Sequence, residues 1–262
     1  MSEADLFPAL TEIASRRPLL VVTDFDGTLS PIVADPTQAA LADGAEQILS
    51  RLSQVPGVHV AVMSGRGYTD LGERVGSLSG VHLIGSHGAE YGAAADSTLM
   101  YQRDELVREL QALLAPYDDA FLEIKPVSAS VHTRRMADRA AAAELRARTL
   151  SGPGSVVGRT VKAGKDVVEI AVVEADKGVA LRRLANEVGA AWIVYLGDDV
   201  TDEDAFAVLG PDDIGIKVGH GPTQARYRLT DSAAVLTTLD HLGDVLASED
   251  DDLRMAHWID TP

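Results

Sequence analysis

Short apolar runs recur along the chain at intervals that leave room for a helix between them. Each run stays apolar at successive positions and is rich in Val, Ile and Leu, which is typical of strands buried on both faces of a parallel sheet. Four such strands are predicted at residues 19–23, 58–63, 81–84 and 192–196, with further edge strands at 214–218 and 227–229.

Between these strands, apolar residues return every three or four positions, as on one face of an amphipathic helix. Strands that alternate with helices form a parallel sheet covered by helices on both faces. We therefore expect this kind of α/β fold, with helices over residues 1–18, 37–55, 177–188 and 233–246.

The middle of the chain, residues 93–175, has a different pattern. Here apolar and polar residues alternate along the strands, which favours an antiparallel sheet with one open face. We expect a separate small α/β domain at 93–175, inserted into a core formed by residues 1–92 and 176–262. Its predicted elements, in order, are a helix at 106–116, strands at 121–125 and 128–134, a helix at 137–150, and strands at 156–161 and 167–172.

Two carboxylates stand where the first strand stops. Asp24 and Asp26 are two residues apart, so an extended backbone places them on the same side. Ligands of parallel α/β sheets bind beyond the carboxyl ends of the strands, which favours an active site here. Taken alone, the segment fits an ordinary turn with a capping Asp equally well.

The next two strands also end in polar, glycine-containing loops. Ser64, Gly65 and Arg66 lie in a loop at a helix start, which could bind a phosphate through backbone N–H groups, the hydroxyl and the helix N-terminus. A glycine turn with a capping Ser is the commoner arrangement. His87 and Glu90 follow the third strand and could reach a ligand. A single His in such a turn is more often structural.

The strand at 192–196 runs into five acidic residues within seven positions, which include Asp198, Asp199 and Asp202. Some of them would cap the following helix, where carboxylates are favoured by exposed N–H groups and the helix dipole. A carboxylate directly at the strand end could instead meet Asp24 and Asp26 on one Mg²⁺, a cation that prefers oxygen ligands.

Polar residues in the inserted domain recur at every second position, so each pair shares one face of the sheet. Such a face could hydrogen-bond the hydroxyls of a ligand. From the residues alone, a solvated strand face with cross-strand ion pairs is the better interpretation. The residues are Glu123, Lys125, His132, Arg134 and Glu169.

Composition excludes several classes of function. The 262 residues carry a net charge of −17, with 40 acidic and 23 basic residues and no Lys/Arg cluster, which argues against a nucleic-acid partner. An anionic substrate would need positive charge gathered locally. No apolar run approaches the roughly 20 residues that span a bilayer, and the absence of cysteine excludes disulfides and thiolate metal sites. No secretory signal is recognisable, so we expect a cytoplasmic protein.

Four strand-end elements together resemble the haloacid dehalogenase superfamily of phosphohydrolases: D-x-D-G-T at Asp24, S-G-R at Ser64, K-G at Lys177 and G-D-D-x-T-D-E at Gly197. Within it the chain is similar to the trehalose-6-phosphate phosphatases, through G-x-H-G-A-E at Gly85, E-x-K-x(6)-H-x-R at Glu123 and K-x-V-x-E at Lys165. It departs from that family at Thr133, where an aromatic residue is usual, and at Ala171-Val172, where Arg-Pro is usual.

The resemblance implies a Rossmann-like core with an α/β cap. It also implies a Mg²⁺-dependent phosphatase of trehalose biosynthesis, whose substrate is a small-molecule sugar phosphate, trehalose 6-phosphate. It implies that Asp24 is the nucleophile that forms an aspartyl-phosphate and that Asp26 is the general acid and base. Ser64 and Lys177 would hold the phosphoryl oxygens.

The same resemblance implies a metal site and a substrate site. Mg²⁺ would be held by Asp24, the backbone carbonyl of Asp26 and Asp198, with Asp199 or Asp202 in support. The expected substrate contacts are Gly65, Arg66, His87, Glu90, Glu123, Lys125, His132, Arg134 and Glu169.

Three other functions remain open from the sequence. The nearest is the same chemistry on another phosphorylated disaccharide or pseudo-disaccharide, such as sucrose phosphate or a cyclitol analogue. A phosphotransferase would use the same aspartyl-phosphate, and a non-catalytic sugar-phosphate sensor would use the same binding site. A Rossmann dehydrogenase is disfavoured because no G-x-G-x-x-G follows the first strand. The oligomeric state is unknown from the sequence.

Overall fold

The structure, a computed structural model, describes residues 3–76 and 78–259. The chain divides into two compact units, Met1–Gly92 with Asp176–Pro262 and Ala93–Ala175. Among the described residues, no helix is both long enough and apolar enough to cross a membrane. The roles of catalytic core and specificity cap that the sequence assigns to these parts of the chain stay predictions.

The larger unit contains a seven-stranded sheet. Its strands are β1 (Leu19–Thr23), β2 (Val58–Met63), β3 (Val81–Gly85), β4 (Glu90–Tyr91), β9 (Trp192–Gly197), β10 (Ile214–Val218) and β11 (Tyr227–Leu229). They lie in the order β11-β10-β9-β1-β2-β3-β4, and all neighbours are parallel except β3 and β4. β1 is therefore the central strand, with β2 on one side and β9 on the other.

Six helices lie in the described part of this unit. They are α1 (Glu3–Ala14), α2 (Ala45–Ser53), α3 (Tyr68–Val75), α6 (Lys177–Val188), α7 (Asp202–Phe206) and α8 (Ser232–Ile259), with short 3₁₀ turns at Pro36–Gln38 and Ser86–Gly88. Side chains from β1 alternate between two buried clusters, one on each face of the sheet. Leu19 and Val21 pack with residues of α1, α2 and α8, whereas Leu20 and Val22 pack with residues of α6 and α7.

Burial on both faces explains why the β1 sequence is continuously apolar. All five of its residues are buried. The prediction of an α/β fold with a parallel sheet and helices on both faces is confirmed.

The smaller unit contains an antiparallel sheet and two helices. The strands are β5 (Phe121–Ile124), β6 (Ser128–His132), β7 (Thr160–Ala163) and β8 (Val167–Ala171), in the order β5-β6-β8-β7. The helices are α4 (Ser97–Leu114) and α5 (Arg139–Ser151). Ala129, Val131, Val168 and Ile170 are buried on one face, which packs against the helices. The opposite face carries the polar residues.

The helix predicted at 106–116 begins earlier in the structure, at Ser97, whereas two other predicted elements begin later than expected. The helix expected over 37–55 begins only at Ala45, because Gly44 adopts a left-handed conformation with φ +91° immediately before it. Upstream, Asp35 caps the separate 3₁₀ turn with a hydrogen bond from the Thr37 N–H. The strand expected over 156–161 begins at Thr160, after Gly158 at φ +89°. In both cases a glycine with a positive φ precedes the element, so the helix or strand begins later than the spacing of apolar residues predicts.

Candidate active site

The site is built at the carboxyl edge of the large sheet. β1 pairs in parallel with β2 and β9, so the loops that follow all three strands meet at one edge. The Asp24 N–H donates to the Leu196 carbonyl at 2.8 Å, which fixes the first residue after β1 against the end of β9. This edge carries Asp24, Ser64 and Asp198, one from each loop.

A buried lysine lies between two buried carboxylates. Lys177, the first residue of α6, donates from Nζ to Asp24 Oδ1 and to Asp202 Oδ1, each at 2.7 Å. The Tyr195 hydroxyl also donates to Asp202 Oδ1 at 2.7 Å, and the Asp199 N–H donates to Asp202 Oδ2 at 2.9 Å. Asp202 therefore uses both of its oxygens inside the protein, where it holds Lys177 toward Asp24.

The acidic groups outnumber the cation that faces them. Burial raises the pKa of Asp24 to about 8, although Lys177 opposes this shift and nearby Asp202 and Asp198 add to it. Burial, Asp202 and Asp199 raise the pKa of Asp198 to about 6. Burial disfavours the charge on Lys177, but Asp24 and Asp202 outweigh it and raise its pKa. A further cation would relieve the repulsion between these carboxylates.

The donor set fits Mg²⁺. Carboxylate oxygens of Asp24, Asp198 and Asp202 lie within 4.8 Å of one another. Hard oxygen donors of this kind are the ligands that Mg²⁺ prefers. Because the oxygens of Asp202 already accept three hydrogen bonds, Asp24 and Asp198 are the better direct ligands. Asp199 is exposed, and its side chain lies outside this cluster.

Gly27 makes room for the Asp198 carboxylate. A Cβ at this position would lie 2.1 Å from Asp198 Oδ2, and the backbone φ of +76° is one that side chains rarely adopt. The glycine after Asp26 in the sequence is therefore required by the approach of a carboxylate as well as by the turn.

Two residues of the site were not predicted from the sequence. Tyr195 supports Asp202 from within β9. Lys217, buried on β10, donates from Nζ to the backbone carbonyl of Asp198 and, at 3.5 Å, to that of Asp199. A single lysine inside the otherwise apolar run of β10 is the signal that could have identified it, because buried lysines are rare unless they are hydrogen-bonded.

The Asp26 carboxylate lies outside the cluster of Asp24, Asp198 and Asp202 carboxylates. It accepts two hydrogen bonds from Arg66, Nε to Oδ2 and Nη2 to Oδ1, both at 2.7 Å. The chain leaves the extended conformation after Thr23, so the two-residue spacing of Asp24 and Asp26 does not aim their side chains at the same group. Arg66, predicted to contact substrate, contacts Asp26 in the structure.

Ser64 and His87 lie beside the same loop. Ser64 is buried, and its Oγ accepts a hydrogen bond from the Arg66 N–H at 3.1 Å. The His87 ring packs against Gly65, where an added Cβ would lie 2.4 Å from Cε1. Ser86 and His87 have positive φ angles of 49° and 54°, which are uncommon for residues other than glycine. Such conformations persist only where the surroundings hold them.

Glu90, predicted to contact substrate, is buried and supports this loop. Its Oε2 accepts hydrogen bonds from the Ser86 hydroxyl at 2.6 Å and from the Tyr68 N–H at 2.9 Å. Tyr68 is the first residue of α3, so Glu90 connects the strained turn to the helix that follows the Ser64 loop. The contacts made by Glu90 are those of a positioning group.

In the smaller unit, the predicted polar residues share the open face of the sheet and pair across strands. His132 Nε2 and Glu123 Oε2 are 2.9 Å apart, and Lys125 Nζ lies 3.2 Å from Glu169 Oε2. The Ser128 hydroxyl donates to Glu169 Oε1 at 2.7 Å. These side chains form cross-strand pairs, as expected for a polar face of this kind.

The predicted contact Arg134 and the two positions that depart from the family pattern, Thr133 and Ala171, lie in three different places in the smaller unit. Arg134 is exposed in the turn after β6. Thr133 is buried on the helix side, where its Oγ1 donates to the Asp166 carbonyl at 3.2 Å and accepts from Arg146 of α5 at 2.8 Å. Ala171 pairs with Ser128 in the register of the open face. The Thr133 departure therefore affects packing beneath the sheet, whereas the Ala171 departure alters the polar face itself.

The Lys177 network leads to a stability prediction. In the absence of divalent cations, Lys177→Met should lower the free energy of unfolding at pH 8 by about 3–5 kcal/mol, because it leaves buried carboxylates without a cation. The loss should grow as the pH rises through about 8, since Asp24, with its pKa raised to about 8 beside Lys177, then ionises more readily in the wild type than in the variant. Urea denaturation followed by circular dichroism measures both effects.

Arg51→Met is the matched control. Arg51 pairs with Asp240 at 2.7 Å and Asp244 at 2.9 Å, but these side chains are largely exposed to solvent. Its loss should therefore cost about 1 kcal/mol or less. Equal losses for the two variants, or a Lys177→Met loss that does not depend on pH, would contradict a buried network balanced by Lys177.

Comparison with known proteins places the chain in a family. A sequence model described as trehalose-phosphatase matches residues 22–233. The chain is 37% identical over 253 residues to the trehalose-phosphate phosphatase of Mycobacterium tuberculosis (strain ATCC 25618 / H37Rv), in an alignment that covers 88% of this chain and 62% of that relative. The chain thus spans less than two thirds of the length of this curated relative.

Solved structures share the fold. A structure of Aspergillus fumigatus trehalose-6-phosphate phosphatase has a TM-score of 0.71 and 27% identity, with 91% of this chain and 97% of that chain covered. A haloacid dehalogenase-like hydrolase from Bacteroides thetaiotaomicron has a TM-score of 0.62 at 14% identity, with 85% and 98% covered, which is a likeness of fold alone. With the family match extending over Asp24, Lys177 and Asp198, the chain belongs to the trehalose-phosphatase family.

Proposed function

We propose that this protein hydrolyses trehalose 6-phosphate to trehalose and inorganic phosphate through an aspartyl-phosphate at Asp24. The observation that carries the proposal is the buried carboxylate of Asp24, held at 2.7 Å by Lys177 at the end of the central strand. A carboxylate fixed next to a cation can attack phosphorus, because the cation offsets the charge of the incoming phosphate. The family match and the 37% identical trehalose-phosphate phosphatase support the choice of substrate.

The reaction proceeds in two displacements. Asp24 attacks phosphorus, the bond between phosphorus and the sugar oxygen breaks, and Asp26 gives a proton to that oxygen. Asp26 then takes a proton from a water molecule that attacks phosphorus, which releases phosphate and restores Asp24. Lys177 and Ser64 hold the phosphoryl oxygens in both steps.

A Mg²⁺ ion is the proposed cofactor. Asp24, Asp198 and the backbone carbonyl of Asp26 would hold it, while Asp202 and Asp199 support the loop around it. When bound, the ion neutralises negative charge on the carboxylates and the phosphoryl group. The raised pKa values of Asp24 and Asp198 are consistent with this assignment, because burial and neighbouring carboxylates disfavour their charged forms and a bound cation would offset that charge.

The smaller unit is the proposed specificity cap. Its open face would bind the sugar through Glu123, Lys125, His132, Arg134 and Glu169. A site that pairs buried polar groups with particular hydroxyls rejects sugars that lack them. Of the two departures from the family, Thr133 lies on the helix side and leaves the open face unchanged, whereas Ala171 lies in the register of that face.

The substrate proposal predicts selective release of phosphate. With Mg²⁺, the purified protein should release inorganic phosphate from trehalose 6-phosphate with a higher kcat/KM than from sucrose 6-phosphate, glucose 6-phosphate or p-nitrophenyl phosphate. Asp24→Asn should lower this activity by on the order of 10³-fold or more, because it removes the nucleophile. A colorimetric phosphate assay measures both.

Asp240→Asn, the same change on the exposed surface of α8, is the control and should retain full activity. Preference for sucrose 6-phosphate would contradict the sugar assignment alone. Binding of trehalose 6-phosphate without release of phosphate would contradict hydrolysis and favour a sensor.

The metal proposal predicts a pH-dependent gain in stability. Without Mg²⁺, the folded protein binds protons at Asp24 and Asp198 more tightly than the unfolded chain does, so its stability falls as the pH rises from about 4 toward 8. Mg²⁺ needs the ionised carboxylates and should therefore raise Tm more at pH 8 than at pH 5.5. Thermal denaturation with Mg²⁺ or EDTA measures this difference.

The Asp198→Asn variant should lose most of the Mg²⁺-induced rise in Tm, whereas Asp240→Asn should keep it. A rise of the same size at both pH values, or one retained in Asp198→Asn, would show that Mg²⁺ acts elsewhere.

A further inference from the structure

Arg66 forms a two-pronged ion pair with Asp26. Two of its nitrogens lie 2.7 Å from the two carboxylate oxygens. The partners differ in exposure, since the Arg66 side chain is 11% exposed and the Asp26 side chain 47% exposed. The guanidinium is therefore the fixed member of the pair, and the carboxylate is the member open to solvent and ligands.

Other groups hold the guanidinium in place. Arg66 Nη1 donates to Asp70 Oδ2 at 2.9 Å, and Nη2 donates to the Pro36 carbonyl at 2.9 Å. The guanidinium carbon lies 5.4 Å from the centre of the Phe25 ring. Asp70 Oδ1 in turn accepts from Arg74 Nε at 2.9 Å. Arg66 is thus fixed from three sides before any substrate binds.

This arrangement leaves Arg66 little capacity to bind substrate. A guanidinium has five N–H donors, and the structure gives four hydrogen bonds from Arg66 side-chain nitrogens to protein oxygens: two to Asp26, one to Asp70 and one to Pro36. We propose that Arg66 is a positioning residue that orients the acid/base Asp26, instead of a ligand of the phosphate. The inference rests on the proposed function, because it assigns Arg66 a part in that reaction.

The pair leaves Asp26 able to react. A carboxylate offers about four lone-pair positions, and a two-pronged Arg uses two of them. The remaining positions face away from Arg66, in an orientation set by the fixed guanidinium. Proton transfer to a leaving oxygen depends on such alignment, and misplacement by about 1 Å can cost on the order of 10²-fold in rate.

The test compares two leaving groups. A sugar alkoxide needs a proton to depart, whereas p-nitrophenolate is a stable anion and does not. Because kcat/KM reports the steps up to the first irreversible one, it isolates the departure of the leaving group. Arg66→Ala should lower kcat/KM for trehalose 6-phosphate by about 10–100-fold and for p-nitrophenyl phosphate by less than about 3-fold. If Arg66 bound the phosphate instead, its removal would lower kcat/KM for both substrates equally, and that result would overturn the proposal.

A double-mutant cycle excludes a direct sugar contact. In the Asp26→Asn background, Arg66→Ala should cause no further loss of kcat/KM for trehalose 6-phosphate, because the group that Arg66 orients has lost its function. Losses that multiply would show that Arg66 acts independently of Asp26 and would contradict the proposal. Arg66→Lys, which provides charge without a fork, should retain only part of the wild-type selectivity between the two substrates.

Arg51→Ala is the matched control, since it also breaks pairs with two carboxylates but its partners lie on α8. It should leave the ratio of the two kcat/KM values unchanged. Failure of the wild-type protein to hydrolyse trehalose 6-phosphate would refute the proposed function. Wild-type hydrolysis with an unchanged ratio in Arg66→Ala would refute only the positioning role.

Discussion

The ion pair of Lys177 with Asp24 and Asp202 is the interaction on which the site depends. Each carboxylate would be costly to bury alone, and a lysine buried without partners would lose its proton. Placed 2.7 Å from both, Lys177 allows Asp24 to remain buried at the end of the central strand. Tyr195 then fixes Asp202 from β9, so the position of Lys177 is set by the sheet itself.

The parallel sheet supplies the remaining geometry. Neighbouring parallel strands deliver their following loops to one edge, and β1 lies between β2 and β9. Asp24 and Asp198 are distant in sequence, but they lie close together because each follows one of two adjacent parallel strands. The balance of charge at this edge is negative, which suits a divalent cation.

The buried strands and the polar residues at their ends could be predicted from the sequence, whereas the hydrogen-bond partners of those side chains could not. The apolar run before Asp24 predicted a strand buried on both faces, and in the structure all five of its residues are buried. The pair between Arg66 and Asp26 joins residues 40 positions apart, and its geometry depends on how two loops pack. Glu90 could be recognised as a motif residue, but its hydrogen bonds to the strained turn follow from tertiary structure. The helix expected from residue 37 begins only at Ala45, because Gly44 before it has a positive φ, which the apolar spacing of the sequence does not reveal.

The decisive measurement is to identify the residue that carries phosphate during turnover. Rapid acid quench with trehalose 6-phosphate labelled in its phosphate, followed by proteolysis and mass spectrometry, locates the modified peptide. We expect a transient phosphoryl group on Asp24 that is absent from Asp24→Asn. A phosphoryl group on Ser64 or another side chain, or complete turnover with no labelled peptide at any quench time, would contradict it.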